Sequence, residues 1–153
     1  MISTTDYLWF VNRTLDQMVV VLRQLGDETA SKKPGPPQTN SPFGIVTHCL
    51  GVMRSWGGYL VAGRTVVRDR ETEFTAVGRV EFLIEEIAAA RAQLALDVAS
   101  ADLDAPLRNS PSPTDAELPF GQSQGAALFH LYEELSQHLG QLEISRDVLL
   151  AQR

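Results

Sequence analysis

Cysteine is almost absent from this chain, since Cys49 is the only one among 153 residues. A single cysteine excludes an internal disulfide, and we expect a protein of the reducing cytoplasm. Basic residues are also few: 13 Lys and Arg stand against 19 Asp and Glu, which gives a net charge of −6. Because no basic cluster offsets this charge, a nucleic-acid backbone is not expected to be the main partner.

Long apolar runs are missing as well. No stretch reaches the roughly 18 residues of a membrane-spanning helix, and residues 1–6 lack the charged start and apolar run of a signal peptide. Hydrophobic residues make up 44% of the 153 positions, which is enough for one domain with its own core. We therefore expect a soluble, single-domain protein over residues 1–153, without a membrane partner.

Apolar residues recur at helical spacing in four segments, which predicts helices near residues 5–25, 42–63, 76–100 and 122–151. The first helix is expected to end at Gly26, and Ser41 followed by Pro42 is typical of a helix start. No strand pattern lies between these segments. The sequence therefore predicts an all-α fold, a four-helix bundle of the kind that houses metal sites between facing helices.

Long connections separate the predicted helices. Residues 27–41 and 101–120 are rich in proline, and residues 64–75 are dense in charge. Charge runs are usually solvated, so we expect residues 64–75 to form a solvated crossover between the second and third helices. We expect residues 101–120 to overlie a site at the end of the bundle, because a bundle interior needs a cover to exclude water.

Polar side chains occupy inward-facing positions on two of the helices. His138 stands in the apolar seam of the last helix, and Glu134 precedes it by one turn, so both side chains can reach one cation. His48 faces inward on the second helix, three residues after Ile45 and four before Val52. Together they make a two-histidine, one-carboxylate set with an open coordination position. The alternative is structural, since buried histidines are often hydrogen-bonded core residues and Glu–His pairs are common on helices.

Several other residues have alternative interpretations. His130 lies about 12 Å along the helix from His138, so it is a surface residue, a hydrogen-bond partner of the site, or a ligand with Glu134 in an alternative register. Cys49 is rotated about 100° from His48 and is expected in the core. Arg146 is a candidate for binding an anionic substrate or thiol group, or it forms a salt bridge. Trp56 and Tyr59 are expected in the core rather than stacked on a substrate.

Two motifs resemble a known family. Residues 40–52, followed by Trp56, resemble the second helix of the DinB-like superfamily, which includes the N-terminal domain of mycothiol-dependent maleylpyruvate isomerase. Residues 133–141, followed by Arg146, resemble its last helix. The resemblance implies a DinB-like bundle in which His48, Glu134 and His138 hold a divalent metal. The sequence departs from many members at Leu139, where they have arginine.

The resemblance also implies a function. The family's thiol chemistry points to a metal-dependent thiol transferase or isomerase that uses mycothiol or another small thiol on a small electrophilic molecule, because a cation lowers the pKa of a thiol bound to it. Nitrogen and carboxylate ligands favour zinc or nickel over copper(I). The alternatives are a metal-dependent hydrolase that activates water and a non-catalytic metal-binding bundle. Exposed bundle faces often pair, so a homodimer is expected.

Overall fold

A computed structural model of the chain describes residues 2–112 and 122–152. Four long helices form the bundle: α1 (Thr4–Ala30), α2 (Pro42–Val52), α4 (Val80–Ala99) and α5 (Gln124–Ala151), with a short α3 (Arg70–Glu73) in the crossover before α4. The segment Met53–Val61 continues α2 as π-helical turns. Within the described ranges no strand forms, so the predicted all-α class is confirmed.

Serine side chains set three of the helix starts. In α1, α2 and α5 the residue before the helix is a serine whose hydroxyl accepts a hydrogen bond from the backbone N–H three residues on: Ser3, Ser41 and Ser123. This contact satisfies one of the N–H groups that a helix leaves unpaired at its start. The predicted start of α2 at Pro42 is confirmed.

Helices α1 and α5 run parallel to each other. Near one end, the rings of Phe10 and Tyr132 have centroids 6.1 Å apart. Near the other end, Arg146 donates a hydrogen bond to Gln24. The contact that comes first along α1 also comes first along α5, so the two helices point in the same direction.

Helices α2 and α4 are also parallel. Arg54 pairs with Glu86 on α4, and Arg64, which follows α2, pairs with Asp97 near the end of α4. Two parallel helices joined in sequence need a chain segment that returns along the bundle, and residues 62–79 provide it. The long connection predicted from the charged residues 64–75 is thus a requirement of this helix order.

The core lies along the seams that the helical spacing predicts. Its largest fully buried side chains include Leu15, Met18, Leu22, Ile45, Leu131, Leu135 and Leu142. Of the described helices, none is both long and apolar enough to cross a membrane.

The end of α1 differs from the prediction. Gly26 does interrupt the helix, with φ 70° and ψ 172°, but helical structure resumes and continues to Ala30. Glycine is needed here because side chains rarely adopt this conformation. Ala30 is fully buried, so the resumed turn packs onto the core.

The interpretation of residues 64–75 as a solvated crossover is wrong for two of its charged residues, Arg68 and Glu73. Arg64 keeps 37% of its side-chain exposure, although it donates two hydrogen bonds, each 2.9 Å, to the buried carboxylate of Asp97. Glu73 is only 7% exposed, and Arg68 donates two hydrogen bonds to it. Charged groups can leave water when a partner of opposite charge lies at hydrogen-bond distance.

The connection after α4 packs, in its described part, against the far end of α2. The backbone N–H of Arg108 donates to Leu60, and the side chain of Asn109 donates to the carbonyl of Tyr59. Ser112 lies with Arg68 at the edge of a cavity of about 300 Å³. The predicted cover over the site involves residues up to 120, and positions 113–121 lie outside the described residues.

Candidate metal centre

Three polar side chains meet between α2 and α5. His48 projects from α2 and is 2% exposed, while Glu134 and His138 project from successive turns of α5. The ring of His48 lies against that of His138, with centroids 4.9 Å apart, and Trp56 lies against His130 with centroids 4.4 Å apart. Trp56 comes after His48 in the chain, whereas its partner His130 comes before His138. The two helices are therefore antiparallel.

The three side chains converge on one point. Oε2 of Glu134 lies 3.5 Å from Nε2 of His48 and 3.7 Å from Nε2 of His138. One ligand atom from each residue lies within 4.8 Å of the other two. A tetrahedral ion with bonds near 2.0–2.1 Å separates its ligands by about 3.3 Å. Two of the three separations are therefore within a few tenths of an ångström of what such an ion requires.

The outer nitrogen of each histidine faces an acceptor. Nδ1 of His48 lies 2.8 Å from Oε2 of Glu73, and Nδ1 of His138 lies 3.0 Å from Oε1 of Gln141. Hydrogen bonds at these positions place a proton on each Nδ1, so each ring, when it is neutral, directs the lone pair of Nε2 toward Glu134. Two lone pairs and a carboxylate oxygen directed at one point repel each other unless a positive charge lies between them. The donor set therefore fits a divalent cation.

The charge states of the site follow from these contacts. Burial acts to lower the pKa of His48, but its contacts with the carboxylates of Glu134 and Glu73 outweigh burial and raise that pKa. The pKa of Glu134 is held far below its usual range, chiefly by its contacts with the side chains of His138 and His48, which favour the ionised carboxylate. Glu134 is therefore ionised at neutral pH. An ionised carboxylate between two imidazoles attracts positive charge, whether a proton or a metal ion.

The site is closed on the α2 side and partly open on the α5 side. Phe74 stacks on the ring of His48 with centroids 4.6 Å apart and planes 24° apart. The side chains of Glu134 and His138 retain 25% and 21% of their exposure, against 3% for His48. Solvent therefore contacts the site from the α5 side.

His130 is a partner of the site and not a member of the converging set. Its Nε2 lies 3.9 Å from Oε1 of Glu134, the oxygen other than the one between His48 and His138. Its side chain is 14% exposed, and its ring packs on Trp56. His130 therefore borders the site without a hydrogen bond to Glu134 at this distance, and its Nδ1 instead lies 3.1 Å from Oε2 of Glu133.

Cys49 and Trp56 lie in the core, as predicted. Cys49 is 1% exposed and Trp56 is 4% exposed, while Tyr59 is partly buried against the core. Burial raises the pKa of the Cys49 thiol. A neutral, enclosed thiol is a poor nucleophile, so Cys49 does not supply reactive sulfur.

Arg146 makes local contacts. It donates to Oδ1 of Asp147 at 2.8 Å and to Gln24 at 3.3 Å. These contacts match the salt-bridge interpretation. A role in binding an anionic group stays a prediction.

The sequence interpretation missed Glu73 and Arg68. Arg68 donates to both carboxylate oxygens of Glu73, at 2.7 and 3.0 Å, and Glu73 contacts His48. The one sequence signal that could have indicated them is Phe74, an aromatic residue within a charged segment. Such a residue indicates that part of the segment packs inward.

The fold and the site together define a class: a DinB-like helical bundle with two histidines and a glutamate converging between two antiparallel helices. The family model for mycothiol S-transferases matches residues 7–150, so the chain belongs to that DinB-like family. The resemblance inferred from the sequence is confirmed. Comparison with curated proteins gave no significant match, and neither did comparison with solved structures.

Proposed function

We propose that this protein is a divalent-metal-dependent thiol S-transferase that joins mycothiol, or a related small thiol, to a small electrophilic molecule. The observation that supports the proposal best is the convergence of His48, Glu134 and His138 within 4.8 Å. Membership in the mycothiol S-transferase family supports the thiol part of the proposal. The expected cytoplasmic location and homodimer remain predictions.

The proposed ligands are Nε2 of His48, Nε2 of His138 and a carboxylate oxygen of Glu134. Two nitrogens and one oxygen favour zinc or nickel, and three protein ligands leave a coordination position for another molecule. A divalent ion bound there would lower the pKa of a coordinated thiol, so that the thiolate forms at neutral pH.

The chain's own residues prepare this site. The acceptors at Glu73 and Gln141 keep both Nδ1 atoms protonated and both Nε2 lone pairs free. Phe74 stacks on the ring of His48 and limits its rotation. Because Cys49 is enclosed, the reacting sulfur belongs to a separate thiol molecule. In the transfer, the thiol loses its proton to solvent and its sulfur forms a bond to an electrophilic carbon of the second substrate, while the bond from that carbon to its leaving group breaks and the electron pair departs with that group.

The proposal is tested with protein purified without a metal-affinity tag. Elemental analysis gives the bound metal, and conversion of a chromogenic electrophile is then followed with and without mycothiol. We expect conversion that needs both the thiol and a divalent metal, is lost on chelation, and returns when zinc or nickel is added. Conversion without thiol would indicate the hydrolase alternative. Metal binding with no conversion of any electrophile tested would indicate a non-catalytic bundle.

A further inference from the structure

Glu73 contacts His48 on the side of the ring that faces away from Glu134. Its Oε2 lies 2.8 Å from Nδ1 of His48, the nitrogen that faces away from Glu134. The side chain of Glu73 is 8% exposed and that of His48 is 3% exposed, so water does not compete freely for this contact. A buried ionised carboxylate is an acceptor only, and at 2.8 Å it requires a proton on Nδ1.

Arg68 fixes the orientation of that carboxylate. Its Nε donates to Oε1 of Glu73 at 2.7 Å, and its Nη2 donates to Oε2 at 3.0 Å. Nη2 also lies 3.4 Å from Nδ1 of His48. Both nitrogens are donors, and they lie this close because both contact the same acceptor, Oε2 of Glu73. The two-pronged contact restricts rotation of the Glu73 carboxylate. It also balances the charge of Glu73.

Gly51 makes room for the carboxylate at the surface of α2. A Cβ atom at position 51 would lie 2.7 Å from Cδ of Glu73 and 3.0 Å from Nε of Arg68. Because such a separation from Cδ is too close for carbon atoms, any side chain at position 51 would displace Glu73. The crossover thus reaches His48 only because residue 51 is glycine.

We propose that Glu73, held by Arg68, is a positioning residue that commits His48 to the tautomer with its proton on Nδ1, which leaves Nε2 free to bind an ion. The order of events follows from the geometry: the tautomer is set before any ion arrives, by residues of the crossover between α2 and α4. In this arrangement the crossover is part of the site and not only a connection. The inference about ion binding rests on the proposed function, whereas the tautomer is a property of the chain by itself.

The first test is the tautomer of His48 in metal-chelated protein, read from the nitrogen chemical shifts of 15N-labelled histidine at a pH high enough for the ring to be neutral. We expect the wild type to show a protonated Nδ1 at His48. Glu73→Ala should lose this preference, while Glu73→Gln, which keeps an acceptor oxygen, should retain it. Glu71→Ala removes an exposed carboxylate from the same short helix and serves as the matched control.

The second test is the affinity for zinc, measured by competition with a chromophoric chelator. Loss of the partner of a histidine ligand typically weakens metal binding by about 10–100-fold. We expect a loss in this range for Glu73→Ala and none for Glu71→Ala. Arg68→Ala/Glu73→Ala should bind zinc no more weakly than Glu73→Ala, because Arg68 acts through Glu73. The double variant removes both Arg68 and Glu73, so neither charge is left without its partner. A folding defect caused by an unpaired charge is therefore not expected in it.

A third variant moves Glu73 without removing any charge. Gly51→Ala should displace the carboxylate by steric contact and reduce zinc affinity and the tautomer preference together. Gly140→Ala makes the same change on α5, where an added Cβ meets no atom of the described residues within 4 Å. We expect Gly140→Ala to behave as wild type in both measurements.

The outcomes separate the two proposals. If folded Glu73→Ala and Gly51→Ala keep both the wild-type tautomer and the wild-type zinc affinity, the positioning role is overturned. If the wild type binds no divalent ion, the proposed function fails, and the tautomer measurement still decides whether Glu73 positions His48. Retention of the tautomer by Glu73→Gln with loss in Glu73→Ala supports the acceptor role specifically.

Discussion

Nε2 of His48 lies 3.5 Å from Oε2 of Glu134, although the two residues belong to different helices that are far apart in sequence. The contact exists because α2 and α5 pack antiparallel, at a register that brings the inner face of one to the inner face of the other. On its own helix, Glu134 has His138 at 3.7 Å and His130 at 3.9 Å, whereas its contact with His48 crosses the interface between α2 and α5. The site is therefore a property of the interface between α2 and α5.

Removing a proposed ligand should release the metal. His138→Ala should weaken binding by at least about 100-fold, more than the loss of an outer partner typically costs, because two ligands remain where there were three. Metal content after dialysis against a weak chelator measures this. His130→Ala is the control and should keep its metal. If His130→Ala loses its metal and His138→Ala keeps it, the alternative register, with His130 and Glu134 as ligands, is correct.

Asp97 should matter for stability. Its carboxylate is 3% exposed and accepts two hydrogen bonds from Arg64 and one from Gln93. Asp97→Ala leaves the Arg64 guanidinium without its partner, and we expect a loss of about 2–3 kcal/mol in the free energy of unfolding, measured by urea denaturation. Asp147, whose side chain is 69% exposed in its pair with Arg146, is the control. Asp147→Ala should cost about 0–1 kcal/mol, and equal losses would contradict the difference in burial.

Cys49 should be inert in the folded protein. The side chain is 1% exposed, and burial, with smaller effects from Glu134 and Glu73, raises the pKa of its thiol. Alkylation by iodoacetamide at neutral pH should therefore be slow in buffer and fast in denaturant, because the reacting form is the thiolate. Mass spectrometry follows the modification. Rapid alkylation of the native protein would mean that the core around Cys49 opens readily.

Gly26 should resist substitution. Its φ of 70° with ψ of 172° lies in a region open almost only to glycine. Gly26→Ala should reduce the free energy of unfolding by about 1–3 kcal/mol through strain alone, since nothing lies within 4 Å of the added Cβ. Gly140→Ala, inside α5 and also without a close neighbour, should instead stabilise by about 0.5–1 kcal/mol. Thermal unfolding of both variants compares them, and a neutral Gly26→Ala would show that the backbone relaxes.

The helices were predictable because their periodicity is local. Spacings of three and four residues place the side chains of Leu131, Leu135 and Leu142 on one face of α5, and all three are fully buried. The same rule put Glu134 and His138 one turn apart. It could not predict that His48 would meet them, because that depends on the direction and register of α2 against α5, and the resemblance to DinB-like proteins supplied this expectation.

Sequence by itself determined the helical class, the start of α2 and the pairing of Glu134 with His138, since each depends on residues within a few positions of one another. The tertiary structure decided which charged residues of the crossover are bound to a partner. Arg64, Arg68 and Glu73 look alike in a charged stretch, yet each is bound to a partner at about 3 Å or less. Burial of a charge is favourable only when such a partner is in place. Partners supplied by α2 and α4 come together only when those helices pack side by side.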